Sequence, residues 1–319
     1  FMFLENKDNV SKSALKYLLG FVVISLFYIL GQIPFGVAVV TKAMSSGKGM
    51  PTTEADMMNV FSPNVTLALM LLIFVSTMIG IILVVKYIHK LRMIDITTTR
   101  AKVDWKRIFF SFALWSVMSA VLTIASYFGS PEDFVVNFKP IPFLILVFIS
   151  FTLLPIQTSA EEYIFRGYLM QGLGLLAGNR WFPLVITSVM FGLMHIMNPE
   201  VEKMGYIIMI YYIGTGFFLG IVTLMDEGME LALGFHAANN IVTALLVTSE
   251  WSALKTESVF KDISTPSVGF EVLVPVLIIF PLVLFVFSKK YNWTDWKGKL
   301  TGDIQTRIVP SSINSDDHV

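Results

Sequence analysis

Long apolar segments follow one another along almost the whole chain, and few charged residues interrupt them. A helix that crosses a lipid bilayer needs about 20 consecutive, mostly apolar residues. Candidate segments lie at roughly 17–40, 65–88, 108–128, 141–160, 182–197, 206–225, 231–249 and 270–288. The sequence therefore predicts an all-α, polytopic membrane helix bundle with about eight transmembrane helices.

The overall composition favours a membrane protein and argues against several other classes. Hydrophobic residues make up 55% and charged residues 14% of the 319 positions, whereas soluble domains average about 25% charged residues. The absence of cysteine excludes disulfides and thiol-based metal or redox sites. The formal net charge is zero, so no global electrostatic field favours nucleic acid as a partner.

Lysine and arginine are unevenly distributed among the loops between these segments. If the N-terminus is cytoplasmic, eight spans place both termini and most basic residues on the inner side, which agrees with the positive-inside rule. We therefore expect a multi-pass integral membrane protein with both termini in the cytoplasm. Residues 1–290 are predicted to form the transmembrane domain, and residues 291–319 a flexible polar tail in the cytoplasm.

Two adjacent glutamates and an arginine interrupt the fourth apolar segment. Ionisable residues within a membrane span are energetically costly and usually mark a functional site. Glu162 and Arg166 are four residues apart, so their side chains can meet on one helix face and form a buried ion pair. Glu161 points about 100° away around the same helix. It is the free carboxylate and the better candidate for a reacting base.

Two of the four histidines, His195 and His236, also lie in apolar segments. A lone buried histidine is more often structural than catalytic, but two of them together with an unpaired glutamate favour a functional site. Asn240 shares a helix face with His236, and Phe191 shares one with His195. The latter spacing predicts an aromatic ring beside the His195 imidazole.

These residue types fit two hydrolytic mechanisms. In the first, Glu161 and His195 activate a water molecule, while His236 and Asn240 donate hydrogen bonds to an oxyanion. In the second, Glu161, His195 and His236 hold a zinc ion that activates the water. The residues alone leave both mechanisms open.

The same residues resemble the CAAX protease and bacteriocin-processing (CPBP) family of intramembrane proteases, also called the Abi family, which includes the prenyl-protein CAAX endopeptidase. The family pattern is Glu-Glu-x-x-x-Arg, then Phe-x-x-x-His, then His-x-x-x-Asn or Asp, and the chain contains all three in that order. The resemblance extends over residues 157–246, within a predicted catalytic core at about 141–250.

The resemblance implies a role for each matching residue. Glu161 acts as general base together with His195, and His236 and Asn240 form the oxyanion site. The pair of Glu162 and Arg166 is structural, and Phe191 supports His195.

The resemblance also implies an intramembrane endopeptidase of a bacterial cytoplasmic membrane that cleaves membrane-associated proteins or peptides. Whether its substrates are CAAX-like is left open, and a membrane-protein partner is allowed. The family has been described both as metalloproteases and as metal-independent glutamate proteases. We favour the second description and no cofactor, with zinc as the alternative. The other functional hypotheses are a catalytically silent membrane scaffold or partner subunit and, less favoured, a transporter.

Overall fold

The computed structural model describes residues 3–5, 13–47, 49–265, 269 and 272–304, and helices carry nearly all of its secondary structure. The first helices are α1 (Ala14–Gly31), α2 (Ile33–Ser46), α3 (Glu54–Met58), α4 (Pro63–Leu83), α5 (Met93–Thr97), α6 (Trp105–Gly129), α7 (Pro140–Thr152) and α8 (Leu154–Glu162). They are followed by α9 (Met170–Ala177), α10 (Trp181–Leu193), α11 (Pro199–Met204), α12 (Met209–Asp226), α13 (Glu230–Leu246), α14 (Phe280–Tyr291) and α15 (Trp296–Thr301).

Within the described ranges, five helical segments are long and apolar enough to cross a membrane. They are Ala14–Ser46, Pro63–Ile88, Trp105–Gly129, Pro140–Ala177 and Tyr206–Asp226. The prediction of a helical membrane bundle is therefore confirmed. The remaining predicted spans fall on the shorter helices α10, α13 and α14, so the total of eight spans stays a prediction.

The helical segment that carries the two glutamates is built from consecutive pieces. Helix α7 ends at Thr152 and α8 begins at Leu154, so that Pro155 lies in the first turn of α8. Proline is tolerated there because the first-turn N–H groups have no partner within the helix. After α8 the backbone continues as a π-helical segment, Tyr163–Leu169. Such segments occur frequently at functional sites.

Small residues allow the helices of the core to approach closely. A Cβ atom added at Gly216 of α12 would collide with the backbone of Ser188 in α10. One added at Gly234 of α13 would collide with the carbonyl of Ile108 in α6. Small residues at helix contacts are common in membrane proteins. These approaches bring α6, α10, α12 and α13 around one buried aromatic cluster that includes Trp115.

At one end of the bundle, three short strands form a small sheet that the all-α prediction did not include. The strands are β1 (Phe134–Val136), β2 (Val247–Ser249) and β3 (Phe260–Asp262). The order is β1-β3-β2, with β1 and β3 antiparallel and β2 and β3 parallel. The sheet joins the α6–α7 loop to the segment after α13, two loops predicted to lie on the same outer side.

The loops predicted to lie on the inner side are joined by charged contacts. Arg100 Nη2 lies 3.1 Å from Asp226 Oδ2, and Arg100 Nη1 lies 3.0 Å from Glu230 Oε2. Arg107 also pairs with Asp226. The acidic turn between α12 and α13 is thus neutralised by the basic loop before α6. This inner charge cluster (Arg100, Arg107, Asp226 and Glu230) holds the two loops together.

The C-terminal segment packs against this end up to residue 304. Trp293 is buried and donates from Nε1 to Asp226 Oδ1 over 3.2 Å. The Arg180 N–H donates to Gly302 O over 3.1 Å, and the Ile304 N–H donates to Gly178 O over 2.9 Å. Residues of the predicted tail up to 304 thus contact other elements through a buried side chain and backbone hydrogen bonds, and the flexibility of the tail stays a prediction. Residues 305–319 lie outside the described residues.

Candidate active site

The innermost part of the site is a buried ion pair on one helix. Arg166 Nη1 donates to Glu162 Oε1 over 2.9 Å, and neither side chain is accessible to solvent. The second terminal nitrogen, Nη2, donates to Gly216 O over 2.9 Å. Burying either charge alone would be costly, but pairing and hydrogen bonding offset much of that cost. The pair is therefore also an anchor between its own helix and α12.

His236 lies between the two glutamates and contacts each with a different ring nitrogen. Its Nδ1 lies 2.8 Å from Glu162 Oε1, and its Nε2 lies 3.5 Å from Glu161 Oε2. Because an ionised carboxylate only accepts hydrogen bonds, Nδ1 carries a proton and donates to Glu162. The Nε2 atom is then the ring nitrogen that faces Glu161.

The two adjacent carboxylates differ in exposure. The Glu161 side chain retains 16% of its accessible surface, whereas Glu162 retains none. Glu161 Oε1 accepts from Gln157 Nε2 over 2.6 Å. Glu161 Oε2 is buried and has no hydrogen-bond partner within the described part of the chain. Of the two glutamate side chains, only that of Glu161 is therefore partly exposed.

The position of His195 is determined by its own helix turn and by a stacked ring. Its Nδ1 lies 2.9 Å from Phe191 O, a carbonyl that can only accept, so Nδ1 carries the proton. Nε2 is consequently the acceptor nitrogen of the neutral ring. The imidazole stacks on the Tyr212 ring at 4.4 Å with an interplanar angle of 16°.

Phe191 brings the two histidines to one region of the molecule. Its ring centroid lies 5.2 Å from that of His195 and 5.7 Å from that of His236. The Arg166 guanidinium lies 4.5 Å from the same ring, within cation–π range. Simple counting of helical rise places His195 too far along its span to meet His236. In the structure the Phe191 ring nevertheless lies next to both imidazoles.

Asn240 joins the site through other amides. Its Nδ2 donates to Gln157 Oε1 over 2.9 Å, and its Oδ1 accepts from Asn239 Nδ2 over 3.1 Å. Asn239 Oδ1 in turn accepts from the indole Nε1 of Trp115 over 3.1 Å. The site residues named from the sequence are therefore connected by residues that the sequence reasoning missed.

The missed residues differ in how easily sequence could have revealed them. Gln157 lies four residues before Glu161, so helical spacing already places it on the same face. Asn239 is the neighbour of Asn240 and carries the same side chain. Trp115 and Tyr212 lie on other helices, and only tertiary packing brings them to the site.

The loop that follows His195 leads to a half-buried acid at the edge of the site. Glu200, in the first turn of α11, accepts from the Ala253 N–H over 2.8 Å. Burial raises the pKa of the Glu200 carboxyl, and the hydrogen bond from Ala253 opposes that rise. This contact ties α11 to the loop after β2.

The residues predicted as possible zinc ligands do not fit a metal in this structure. Among the described residues, no three His, Asp or Glu side chains are grouped closely enough to hold a metal ion. The set of Glu161, His195 and His236 is therefore not grouped as a coordination sphere among these residues. Both histidines use Nδ1 in hydrogen bonds, which leaves Nε2 as the ring nitrogen that could contact water or substrate. We derive no chemical step through a metal.

Comparison with known proteins locates the same part of the chain. The family described as type II CAAX prenyl endopeptidase Rce1-like matches residues 139–242. An uncharacterized protein of Bacillus subtilis (strain 168), YyaK, is 30% identical over 236 residues, which are 74% of this chain and 78% of that protein. No solved structure gives a significant match. The matched family region contains every site residue predicted from the sequence, whereas Trp115 lies outside it.

Proposed function

The chain belongs to the Rce1-like family of CAAX-type proteases, and from that membership we propose that it is an intramembrane endopeptidase acting on membrane-associated proteins or peptides. The observation that carries the proposal is the position of His236 between Glu161 and Glu162. A partly exposed carboxylate, a second carboxylate paired with Arg166, and an imidazole held by that second carboxylate together provide the groups that amide hydrolysis requires.

In the proposed reaction, Glu161 removes a proton from a water molecule while the water oxygen attacks the peptide carbonyl carbon. The C=O electron pair moves onto oxygen and gives a tetrahedral oxyanion. Collapse of this intermediate breaks the C–N bond, and the proton held by Glu161 passes to the leaving amine. The acceptor Nε2 of His195 supports the same step by accepting a hydrogen bond from the attacking water.

The oxyanion is stabilised by donors on α13 in this proposal. The Asn240 amide has two N–H groups, and only one of them is used by Gln157. His236 Nε2 donates when the ring is in its imidazolium form, because Nδ1 already donates to Glu162.

Glu162 and Arg166 are assigned a structural role. Glu162 is inaccessible to solvent, and its Oε1 accepts hydrogen bonds from both Arg166 and His236. It therefore fixes the orientation of the imidazole instead of meeting the substrate. This role resembles that of second-layer carboxylates that orient histidines in many hydrolytic sites.

The proposed location is the membrane, with substrate entering from the cytoplasmic side and both termini in the cytoplasm. The apolar helices and the family support membrane insertion. The basic loop before α6 and the positive-inside rule support the orientation. A bacterial cytoplasmic membrane remains part of this proposal.

The test compares the wild type and Glu161→Ala for cleavage of a membrane-tethered peptide library, each with and without a chelator. We expect cleavage by the wild type that the chelator leaves unchanged, and no cleavage by the variant. Equal cleavage by both proteins would overturn the assignment of Glu161. Loss of wild-type activity on chelation, restored by zinc, would replace the metal-free mechanism with a metal-dependent one.

A further inference from the structure

Four hydrogen bonds run end to end from a tryptophan to the proposed base. Trp115 Nε1 donates to Asn239 Oδ1, and Asn239 Nδ2 donates to Asn240 Oδ1, each over 3.1 Å. Asn240 Nδ2 then donates to Gln157 Oε1 over 2.9 Å, and Gln157 Nε2 donates to Glu161 Oε1 over 2.6 Å. The series crosses three helices, α6, α13 and α8.

The two ends of the series determine its direction. An indole N–H only donates and an ionised carboxylate only accepts, whereas a side-chain amide can do both. With a donor at one end and an acceptor at the other, the three amides between them have one orientation that uses every bond. All four donors therefore point towards Glu161. Hydrogen bonds aligned in this way polarise and strengthen one another.

We propose that Trp115, Asn239, Asn240 and Gln157 form a positioning relay for the carboxylate of Glu161. This inference rests on the proposed function, in which Glu161 is the base. The relay holds Oε1 through Gln157 and so leaves Oε2, which is buried without a hydrogen-bond partner in the described part of the chain, facing His236. Of these four residues, Asn240 alone has a role in the proposed reaction.

The relay also couples the base to the oxyanion donor. Asn240 gives one amide hydrogen to Gln157, which turns its second hydrogen away from that bond. The same Gln157 side chain holds Glu161. The base on α8 and the donor on α13 are therefore kept in one fixed arrangement, as a preorganised site requires. A change at Trp115 alters this arrangement without touching the substrate.

A simple packing role for these residues predicts different behaviour. Trp115 contacts the rings of Phe235 and Phe280, at 4.3 Å and 6.1 Å between centroids. Replacing it with alanine would disturb this cluster, so the informative variant is Trp115→Phe, which keeps a ring and removes the N–H. Gln157→Leu removes both amide contacts at nearly constant volume.

The kinetic test measures kcat and KM for Trp115→Phe, Gln157→Leu and the double variant in the full-length protein. We expect kcat to fall about tenfold or more in Gln157→Leu and about threefold in Trp115→Phe, with little change in KM, because only transition-state interactions are lost. Since both act through one series, the double variant should match Gln157→Leu within about twofold. Multiplicative losses, or changes confined to KM, would overturn the relay.

The matched controls come from the same helical segments. Gln171→Leu removes a buried glutamine whose Nε2 lacks a hydrogen-bond partner in the described part of the chain, and Trp105→Phe removes an exposed indole from α6. Both controls should retain wild-type kcat. A loss in the controls equal to that in the relay variants would count against the relay.

A spectroscopic test separates the relay from the proposed function. The chain has six tryptophans, and Trp115→Phe identifies which indole ¹⁵N–¹H resonance belongs to Trp115. Glu161→Ala should shift that resonance while leaving Trp105 unchanged. If Glu161→Ala is inactive but leaves the Trp115 resonance in place, the relay fails alone. If Glu161→Ala is fully active and the resonance shifts, the relay stands and the base assignment fails.

Discussion

Two groups of buried charges in the described part of the chain differ in how completely their atoms are bonded. In the inner charge cluster, both Asp226 oxygens accept hydrogen bonds, from Arg100, Arg107 and Trp293. In the active-site cluster, the Oε2 atoms of Glu161 and Glu162 are buried without a hydrogen-bond partner. Buried polar atoms are normally satisfied. The saturated cluster holds loops together, and the unsaturated one is available for chemistry.

The largest effect on stability and activity is expected at Arg166, whose ion pair with Glu162 is part of the active-site cluster. Arg166→Ala leaves Glu162 buried without its cation and should lower the free energy of unfolding by about 3–5 kcal/mol. It should also abolish peptide cleavage, because Glu162, which holds the His236 ring, is no longer fixed by Arg166. Thermal unfolding in detergent and a cleavage assay measure the two effects. A variant with normal stability would contradict the structural role of the pair.

A smaller effect, on stability alone, is expected in the inner charge cluster. Arg107→Ala removes one partner of Asp226 but leaves Arg100 and Trp293 in place, so the loss should be about 1–3 kcal/mol. The cleavage rate per folded molecule should stay at the wild-type value. A selective loss of kcat in this variant would break the distinction between the two clusters.

His89 is a useful third case, because it is buried and one of its ring nitrogens lacks a hydrogen-bond partner in the described part of the chain, yet it lies outside both charge clusters. Its Nε2 lies 3.0 Å from the Tyr168 hydroxyl, and its Nδ1 has no partner within the described ranges. Burial lowers the pKa of His89, and Lys16 lowers it further. A missing partner at Nδ1 is tolerated here because the lowered pKa favours the neutral ring.

The lowered pKa of His89 predicts a modest pH dependence of stability. The unfolded chain binds the proton more readily than the folded one, so stability falls as pH drops below about 6.5 and through the lowered folded-state pKa. His89→Gln should flatten the dependence of unfolding temperature on pH over this range. An unchanged pH dependence in the variant would mean that another group is responsible.

The smallest effect is expected at an exposed ion-pair group far from both clusters. Glu250, 69% exposed, pairs with Lys255 and Lys261. The hydrogen bond from Lys261 lowers the pKa of Glu250 most, followed by that from Lys255. This contribution is present above the unfolded pKa of about 4.3 and is lost as pH falls below it.

Exposure limits the size of this contribution, so Glu250→Ala should cost less than about 1 kcal/mol at neutral pH. Chemical unfolding at low and high salt checks this. If Glu250→Ala lowers the free energy of unfolding by more than about 2 kcal/mol at both salt concentrations, the expectation that exposed ion pairs contribute little is wrong.

Local spacing explains which parts of the structure the sequence could predict. Long apolar segments predict helices, and the four-residue spacing of Glu162 and Arg166 predicts their contact, because both follow from helix geometry. The position of His236 between the two glutamates joins residues 74 positions apart. No local pattern specifies that contact, nor the one between Trp115 and Asn239, since both depend on how helices pack.

The same distinction explains the differences at the two ends of the bundle. The segment from Tyr291 onward is polar in sequence, yet Trp293 and Ile304 are buried against other elements. Isolated apolar residues in a polar stretch do not predict their packing partners. The three-residue strands of the sheet are likewise too short for an alternating pattern to identify them.

The role of Glu161 is tested most directly by a single conservative substitution measured in two ways. Glu161→Gln keeps the shape of the side chain and its hydrogen bond from Gln157 but cannot take up a proton as a base. We expect kcat for a tethered peptide to fall by about 10²–10⁴-fold, while the unfolding temperature stays close to that of the wild type. Retained cleavage at normal stability would contradict the assignment of Glu161 as the hydrolytic carboxylate.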